Sequence, residues 1–198
     1  MSESSEFKPV QVKTKKVPYD DPDSFFEVKY DGWRGLVEYE GKTCSITSKR
    51  GLHLSFKGLE RELAQKFRKH TVVVDGEIVS KDEEGRPIFM QLVRRSGPIS
   101  FVAFDILFLD GVDLRDKPFR ERRRILKRFA RGKFEVSVGV RGRGKELYQK
   151  MVEMDLEGIV AKRLDSKYGP KTAWYKIKNP DYSQEKERKK VFRRKRRA

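Results

Sequence analysis

The sequence predicts a mixed α and β chain, with many short strands and a few helices among them. Short runs rich in β-branched and aromatic residues recur along it, as at Val72–Val79 and Phe101–Asp110. Helical periods appear in a few places only: Leu59–Lys69, Arg120–Phe129, Lys145–Met154 and, more briefly, Phe89–Val93. The 198 residues suit one domain with a sizeable core, or two small ones.

The stretch Phe25–Tyr39, FFEVKYDGWRGLVEY, organises the rest and reads as a β-hairpin. Phe26, Val28 and Tyr30 alternate with Glu27 and Lys29, the two-residue period of a strand. Asp31-Gly32 is the expected turn, with Gly32 supplying a positive φ. Glu27 and Lys29 then share a face, and Arg34 lies just beyond the turn. Taken alone, this is a surface hairpin bearing a lysine.

The remaining elements follow in order. Residues 1–17 form a flexible basic lead, with disorder expected in the first six. Residues 18–24 are a turn-rich approach to the hairpin. Thr43–Ser48 extends the sheet into a turn at Lys49-Arg50-Gly51. Leu59, Leu63 and Phe67 mark the buried face of a helix. Val72–Val79 is a strand carrying Asp75, Glu77 and a bulge at Gly76. Lys81–Arg86 is a loop. Phe101–Asp110, the most hydrophobic run, is the central strand. The Arg120–Phe129 helix buries Ile125, Leu126 and Phe129 and turns its basic residues outward. Phe134–Val140 is a strand, followed by an arginine-bearing turn at residues 141–144. Ile159–Lys162 and Ala173–Lys178 are the last strands. From Ser183 the chain becomes a basic tail, an exposed helix or a disordered end. Residues 185–198 hold nine Lys or Arg against two Glu.

The formal net charge of +17 favours a polyanionic partner, nucleic acid first. No amphipathic basic helix with a clean apolar face supports a membrane surface instead, and no long apolar run suggests a span. The single Cys44 can form neither an internal disulfide nor a cysteine zinc site, which fits a reducing, cytoplasmic setting. His53 and His70 lie outside the motif segments and read as loop or surface residues.

Four segments repeat the form of a strand with charged groups at its end: DGEIV (residues 75–79), FVAFDILFLDG (101–111), EGIVAK (157–162) and WYKIK (174–178). Lys176 and Lys178 point the same way, because residues two apart in a strand share a face. A lysine attacks only as the neutral amine, and neighbouring cations favour that form. If these strands pack together, Lys176 and Lys178 supply that charge to Lys29 and hold phosphate oxygens.

Lys29-Tyr30-Asp31-Gly32-Trp33-Arg34 resembles the KxDGxR signature of covalent nucleotidyltransferases, the superfamily of ATP-dependent DNA ligases, RNA ligases and mRNA capping enzymes. The four later segments resemble that family in order and separation. PYDDPDSFFEVKYDGWRG (residues 18–35) and EGIVAKR (157–163) are most similar to ligase domains of prokaryotic end-joining systems. The resemblance implies an α+β nucleotidyltransferase fold, with antiparallel sheets around a nucleotide cleft and helices outside. It implies an adenylation domain over residues 18–182 and a basic tail over 183–198. Lys29 matches the nucleophile that becomes lysyl-AMP, and Glu27 a position that helps read the adenine amino group. Arg34 matches a contact to the ribose or DNA end, and Lys49 or Arg50 a turn that contacts nucleotide or DNA. Glu77 matches a carboxylate serving the ribose or a metal, Phe104 a ring stacked on adenine, and Glu157 the main metal-organising carboxylate. Lys162, Lys176 and Lys178 match phosphate contacts. The implied cofactors are ATP, held as covalent AMP, and Mg²⁺ or Mn²⁺.

The implied substrate is nicked or broken double-stranded DNA, and the implied setting is the cytoplasm of a prokaryote, at the nucleoid. Family ligases continue into an OB-fold barrel, for which the 20 residues after Lys178 are too few. The expectation is therefore no OB-fold domain in this chain, which is then a stand-alone adenylation domain, a fragment of a longer ligase, or a protein whose missing half comes from a separate OB-fold or end-joining repair protein. The tail is expected to grip DNA in its place. An RNA ligase or capping enzyme, and a non-catalytic nucleic-acid-binding module, are the competing readings.

Overall fold

The computed structural model describes residues 7–194. The first half of the chain holds β1 (Lys13–Thr14), β2 (Asp21–Val28), β3 (Trp33–Glu40), β4 (Cys44–Ser48), α1 (Lys57–Phe67), β5 (Thr71–Ser80) and α2 (Phe89–Arg94). The second holds β6 (Ile99–Leu109), β7 (Val112–Asp113), α3 (Phe119–Ala130), β8 (Glu135–Val136), β9 (Gly139–Gly142), α4 (Gly144–Glu153), β10 (Gly158–Arg163), β11 (Trp174–Lys178) and α5 (Glu185–Arg194).

The strands form two sheets. One has the order β1-β11-β10-β2-β9; the other runs β4-β3-β5-β6-β7, with β8 also on β6. Pairing is antiparallel except for the two-residue ladders of β1 on β11 and β8 on β6. Leu36, Val73 and Leu107 of the second sheet meet Trp174 of the first, with Val10, Phe119 and Tyr168, in a core between the sheets. Helix α1 buries Leu59, Leu63 and Phe67 on the outer side of the second sheet, as their four-residue spacing predicts. Helix α4 covers the outer side of the first through Met151, against Phe26, Ile159, Ala161 and Ile177.

The Phe25–Tyr39 hairpin does not form. Strand β2 pairs with β10 and β9, while β3 pairs with β4 and β5 in the other sheet. Residues 29–32 are a crossover between sheets, with Tyr30 and Asp31 buried in it. Gly32 is not in the left-handed region. It is a glycine because a Cβ there would lie 2.1 Å from the Ile78 carbonyl oxygen of β5. Long-range partners outweigh the local turn signal, and Lys29 is left at the junction of the sheets.

Phe134–Val140 is likewise two strands, β8 in one sheet and β9 in the other, with buried Ser137 at the switch. Arg141 lies within β9 rather than in a turn. Helix α3 also departs from expectation. Arg122 and Arg123 are buried, whereas Ile125 is only partly so. Phe119, Arg122, Arg123 and Leu126 recur at helical spacing, so the arginines belong to the inward stripe. Arg122 grips Asp105 of β6 through two bonds, at 2.9 and 2.8 Å.

The lead is ordered from residue 7: Val10 is buried and accepts a bond from Arg34 on its carbonyl, and β1 joins the first sheet. The disorder expected for residues 1–6 lies outside the described residues, as do tail residues 195–198. The rest of the tail is helix α5, docked near α2 by Gln184, which accepts from Phe89 N and donates to the Pro87 carbonyl, both at 3.0 Å.

Gly32→Ala is expected to destabilise the protein by about 3 kcal/mol, the upper end of overpacking costs, because the blocking atom is a backbone carbonyl. In a thermal melt this lowers Tm by roughly 6–12 °C. Gly58→Ala, where an added Cβ meets nothing within 4 Å, is the control and leaves Tm unchanged or slightly raised.

Candidate active site

The register sets which side chains share the cleft. On the first sheet Glu27 faces Val160, which faces Lys176; Lys162 faces Trp174, and Gly158 faces Lys178. Glu27, Lys162, Lys176 and Lys178 therefore lie on one side, and Lys29 follows at the end of β2. Arg34, Glu77 and Phe104 come from β3, β5 and β6 of the opposite sheet.

Glu157 is the hub. Its carboxylate is buried, and Lys29 Nζ lies 2.6 Å from Oε2. Oε1 takes Lys178 Nζ at 3.2 Å and the Arg188 guanidinium. Main-chain bonds hold the pair in place: Lys29 N donates to the Gly158 carbonyl and Asn179 N to the Glu157 carbonyl, each at 2.9 Å. Gly158 has φ +129°, and a Cβ would stand 2.1 Å from the Ile177 carbonyl oxygen, so the EG pair needs its glycine. Burial pushes the Glu157 carboxyl up, but Lys29, Arg188 and Lys178 outweigh it and hold the group below the usual carboxylate range.

Asp31 does more than shape the crossover. It accepts from the Tyr182 hydroxyl at 3.0 Å, and Arg188 Nε stands 3.0 Å from its other oxygen. Burial and the nearby Glu157 charge raise its carboxyl above the usual range. Half-buried Glu77 loses enough water that its carboxyl is pushed up to about 8, against the pull of Lys29. Burial, then Lys29, Lys178 and Lys49, lower Lys176. Of the Lys49-Arg50 turn it is Lys49 whose charge reaches Lys176.

At the other end of the cleft, Glu27 is fixed by Arg123 Nη1 at 2.7 Å and Lys162 Nζ at 2.6 Å. Lys162 also donates to the Phe104 carbonyl at 3.0 Å. Its ammonium stands 4.4 Å from the Phe104 ring centre and 4.0 Å from that of Trp174. Lys162 is thus engaged by Glu27, the Phe104 carbonyl and the rings of Phe104 and Trp174. The Phe104 ring lies at the cleft floor, beside Lys162 and Arg34. Arg34 is held by Asp75 at 3.0 and 2.6 Å and by the Val10 carbonyl at 2.6 Å. The Tyr168 hydroxyl donates to the same carboxylate at 2.6 Å. A contact from Arg34 to ribose or DNA requires part of this clamp to open.

The structure therefore brings Lys29, Glu157, Lys176, Lys178 and Lys49 to one end and Glu27, Lys162, Phe104 and Arg34 to the other. It adds Asp31, Tyr182, Arg123, Asp75 and Arg188, which the sequence reading missed. Arg123 could have been found by extending the Phe119–Leu126 period; Arg188 has no signal beyond a run of charge.

Among the described residues, no group of three or more His, Cys, Asp or Glu could hold a metal ion. Glu157 and Glu77 are near enough for the charge of one to act on the other, and both offer the hard oxygen donors that a Mg²⁺ ion would take beside phosphate and water.

Two antiparallel sheets closing on a lysine and a buried glutamate define the nucleotidyltransferase class. A family model described as the ATP dependent DNA ligase domain matches residues 6–178, and the chain belongs to that family. The chain is 38% identical over 164 residues to the multifunctional non-homologous end joining protein LigD of Mycolicibacterium smegmatis, covering 77% of this chain and 21% of that protein. It is 32% identical over 177 residues to a DNA ligase of Thermococcus onnurineus, covering 77% of this chain and 32% of that one. Of solved structures, a mycobacterial DNA ligase D complexed with ATP and MES superposes with a TM-score of 0.79 at 31% identity, covering 87% of this chain and 60% of that one. The ligase domain of M. tuberculosis LigD gives 0.77, also at 31% identity, covering 86% of this chain and 60% of that one. The expected fold class holds. The chain spans about a fifth to a third of the length of these curated relatives.

Because folded Glu77 keeps its proton to about pH 8 and the unfolded chain releases it near 4.5, the folded state binds more protons across that window. Stability in metal-free buffer therefore falls as pH rises through it. Glu77→Gln has no such loss, so its Tm advantage over the parent is expected to grow from pH 5 to pH 8. A difference independent of pH would show that Glu77 titrates normally.

Proposed function

We propose that this chain is the adenylation domain of an ATP-dependent DNA ligase acting in end-joining repair. The observation that carries the reading is the Lys29–Glu157 pair, set among Lys176, Lys178 and Lys49 in a chain of the ligase domain family. In the first step Lys29 Nζ attacks the α-phosphorus of ATP. The nitrogen–phosphorus bond forms, the bond to the bridging oxygen breaks, and pyrophosphate leaves. Nζ must first lose a proton to solvent, a loss that the charges of Lys176 and Lys178 favour, while Glu157 Oε2 at 2.6 Å holds the nitrogen in place. AMP then passes from Lys29 to the 5′-phosphate at a DNA nick or break, and attack by the neighbouring 3′-hydroxyl seals the strand and releases AMP.

Each displacement at phosphorus depends on positioning and on stabilising charge. Lys176 and Lys178 face the oxygens of the transferred phosphate. Glu27, held by Arg123 and Lys162, offers a fixed carboxylate to the adenine amino group, with Phe104 beneath the base. A dication held by Glu157 and Glu77 would neutralise phosphate charge. The adenylation domain is assigned to residues 18–182, with the segment before it and α5 packed onto it. The substrate is double-stranded DNA with nicks or breaks, met in the cytoplasm. Contacts beyond this chain fall to an OB-fold or end-joining partner.

Intact-mass spectrometry after incubation with ATP and Mg²⁺ is expected to show a gain of one AMP, with no corresponding gain from GTP. Lys29→Ala abolishes the gain, and Lys176→Ala slows it by about 10²-fold, the cost of one charge-stabilising donor. Label from GTP alone would mark a guanylyl-transferring enzyme; no label from either nucleotide would remove the catalytic reading.

A further inference from the structure

Helix α5 reaches the site through one side chain. Arg188 Nε stands 3.0 Å from Asp31 Oδ1, and its Nη1 pairs with Glu157 Oε1. Its guanidinium carbon lies 5.7 Å from the Phe89 ring centre. The segment leading into α5 is pinned on both sides. Tyr182 donates to Asp31 at 3.0 Å, Ser183 N donates to Asp155 at 2.9 Å, and Gln184 bridges Phe89 and Pro87. Lys178 ties the base of the helix to the site, 3.4 Å from Glu185. Arg188 is only 18% exposed, unlike a solvated tail charge.

Its position is the one a cation would take. Glu157 already receives Lys29 on Oε2 and Lys178 on Oε1, and Arg188 joins Oε1 to Asp31. A dication claiming Glu157 would meet the guanidinium at close range, so the two exclude each other. A displaced guanidinium does not leave the cleft, because the segment before α5 is anchored. It stays beside Lys178, with which it shares Oε1 of Glu157, while Lys29 holds Oε2. Lys29 must face the α-phosphorus, so the anionic groups within reach of Arg188 are the outer phosphates. A planar guanidinium fork matches phosphate oxygens closely.

We infer that Arg188 is an exchangeable phosphate hook: it covers Glu157, the carboxylate a dication would share with Glu77, in the empty site and passes to the outer phosphates of a nucleoside triphosphate in the loaded one. This rests on the nucleotide reading above and adds to it a residue of α5.

Two binding measurements on the full chain test it, neither needing turnover. Mn²⁺ binding without nucleotide is read by electron paramagnetic resonance, and ATP binding in excess EDTA by calorimetry. Arg188→Ala is expected to tighten Mn²⁺ and weaken ATP, each by about tenfold, the worth of one charge-assisted bond. Arg188→Gln, which keeps its stem against Phe89, shifts both affinities in the same opposed directions and serves if the alanine variant fails to fold. A purely structural role for Arg188 would leave both affinities unchanged or lower both together, and either result overturns the inference. If the parent protein binds ATP while the variants match it, the inference falls and the nucleotide reading stands. If the parent binds no ATP, both fall.

Discussion

A carboxylate removed from water must be compensated by partners, and Glu157 is the ion around which this fold is arranged. Lys29 comes to it from the crossover between the sheets, Lys178 from the last strand and Arg188 from the terminal helix. Each needs a particular backbone path. The crossover lies flat against β5 because Gly32 has no side chain, and Glu157 reaches Lys29 because Gly158 accepts a left-handed φ against Ile177. The geometry of the reaction site is thus inseparable from the way the two sheets are joined.

The same rule of paired charge recurs across the interior. Glu27 is matched by Arg123 and Lys162, Asp105 by Arg122, and Asp75 by Arg34 with Tyr168. These pairs tie elements that apolar contacts alone would not orient. Arg123 carries α3 to β2, and Lys162 ties β10 to β6 through the Phe104 carbonyl. Breaking one such pair leaves an uncompensated buried charge, which costs about 3–5 kcal/mol. The interior thus uses several acids to fix cations, while a formal charge of +17 remains for the chain as a whole. That surplus suits a protein whose proposed substrate is a polyanion.

Much of this was legible in the sequence, element by element. Leu59, Leu63 and Phe67 gave α1, and the Lys176-x-Lys178 spacing gave a shared face, because both follow from backbone period alone. The ordered motifs also led to the family. The joins between elements were not legible. Asp31-Gly32 has the composition of a turn, yet each flanking strand finds its partners in a different sheet, β2 with β10 more than a hundred positions on and β3 with β5 in the other sheet. Arg122 and Arg123 were hidden in a run of arginines, although their spacing from Phe119 and Leu126 marks the inward stripe. Arg188 sits in a similar run, and only the placement of Asp31 and Glu157 distinguishes it from its neighbours.

The central claim is that Lys29, paired with Glu157, and not Lys49, Lys176 or Lys178, is the lysine set up to carry the nucleotide. Peptide mapping by tandem mass spectrometry after incubation with ATP and Mg²⁺ tests it directly. The account predicts AMP on the peptide containing Lys29 and none on those containing Lys49, Lys176 or Lys178. AMP on any of those three, with Lys29 unmodified, would contradict it.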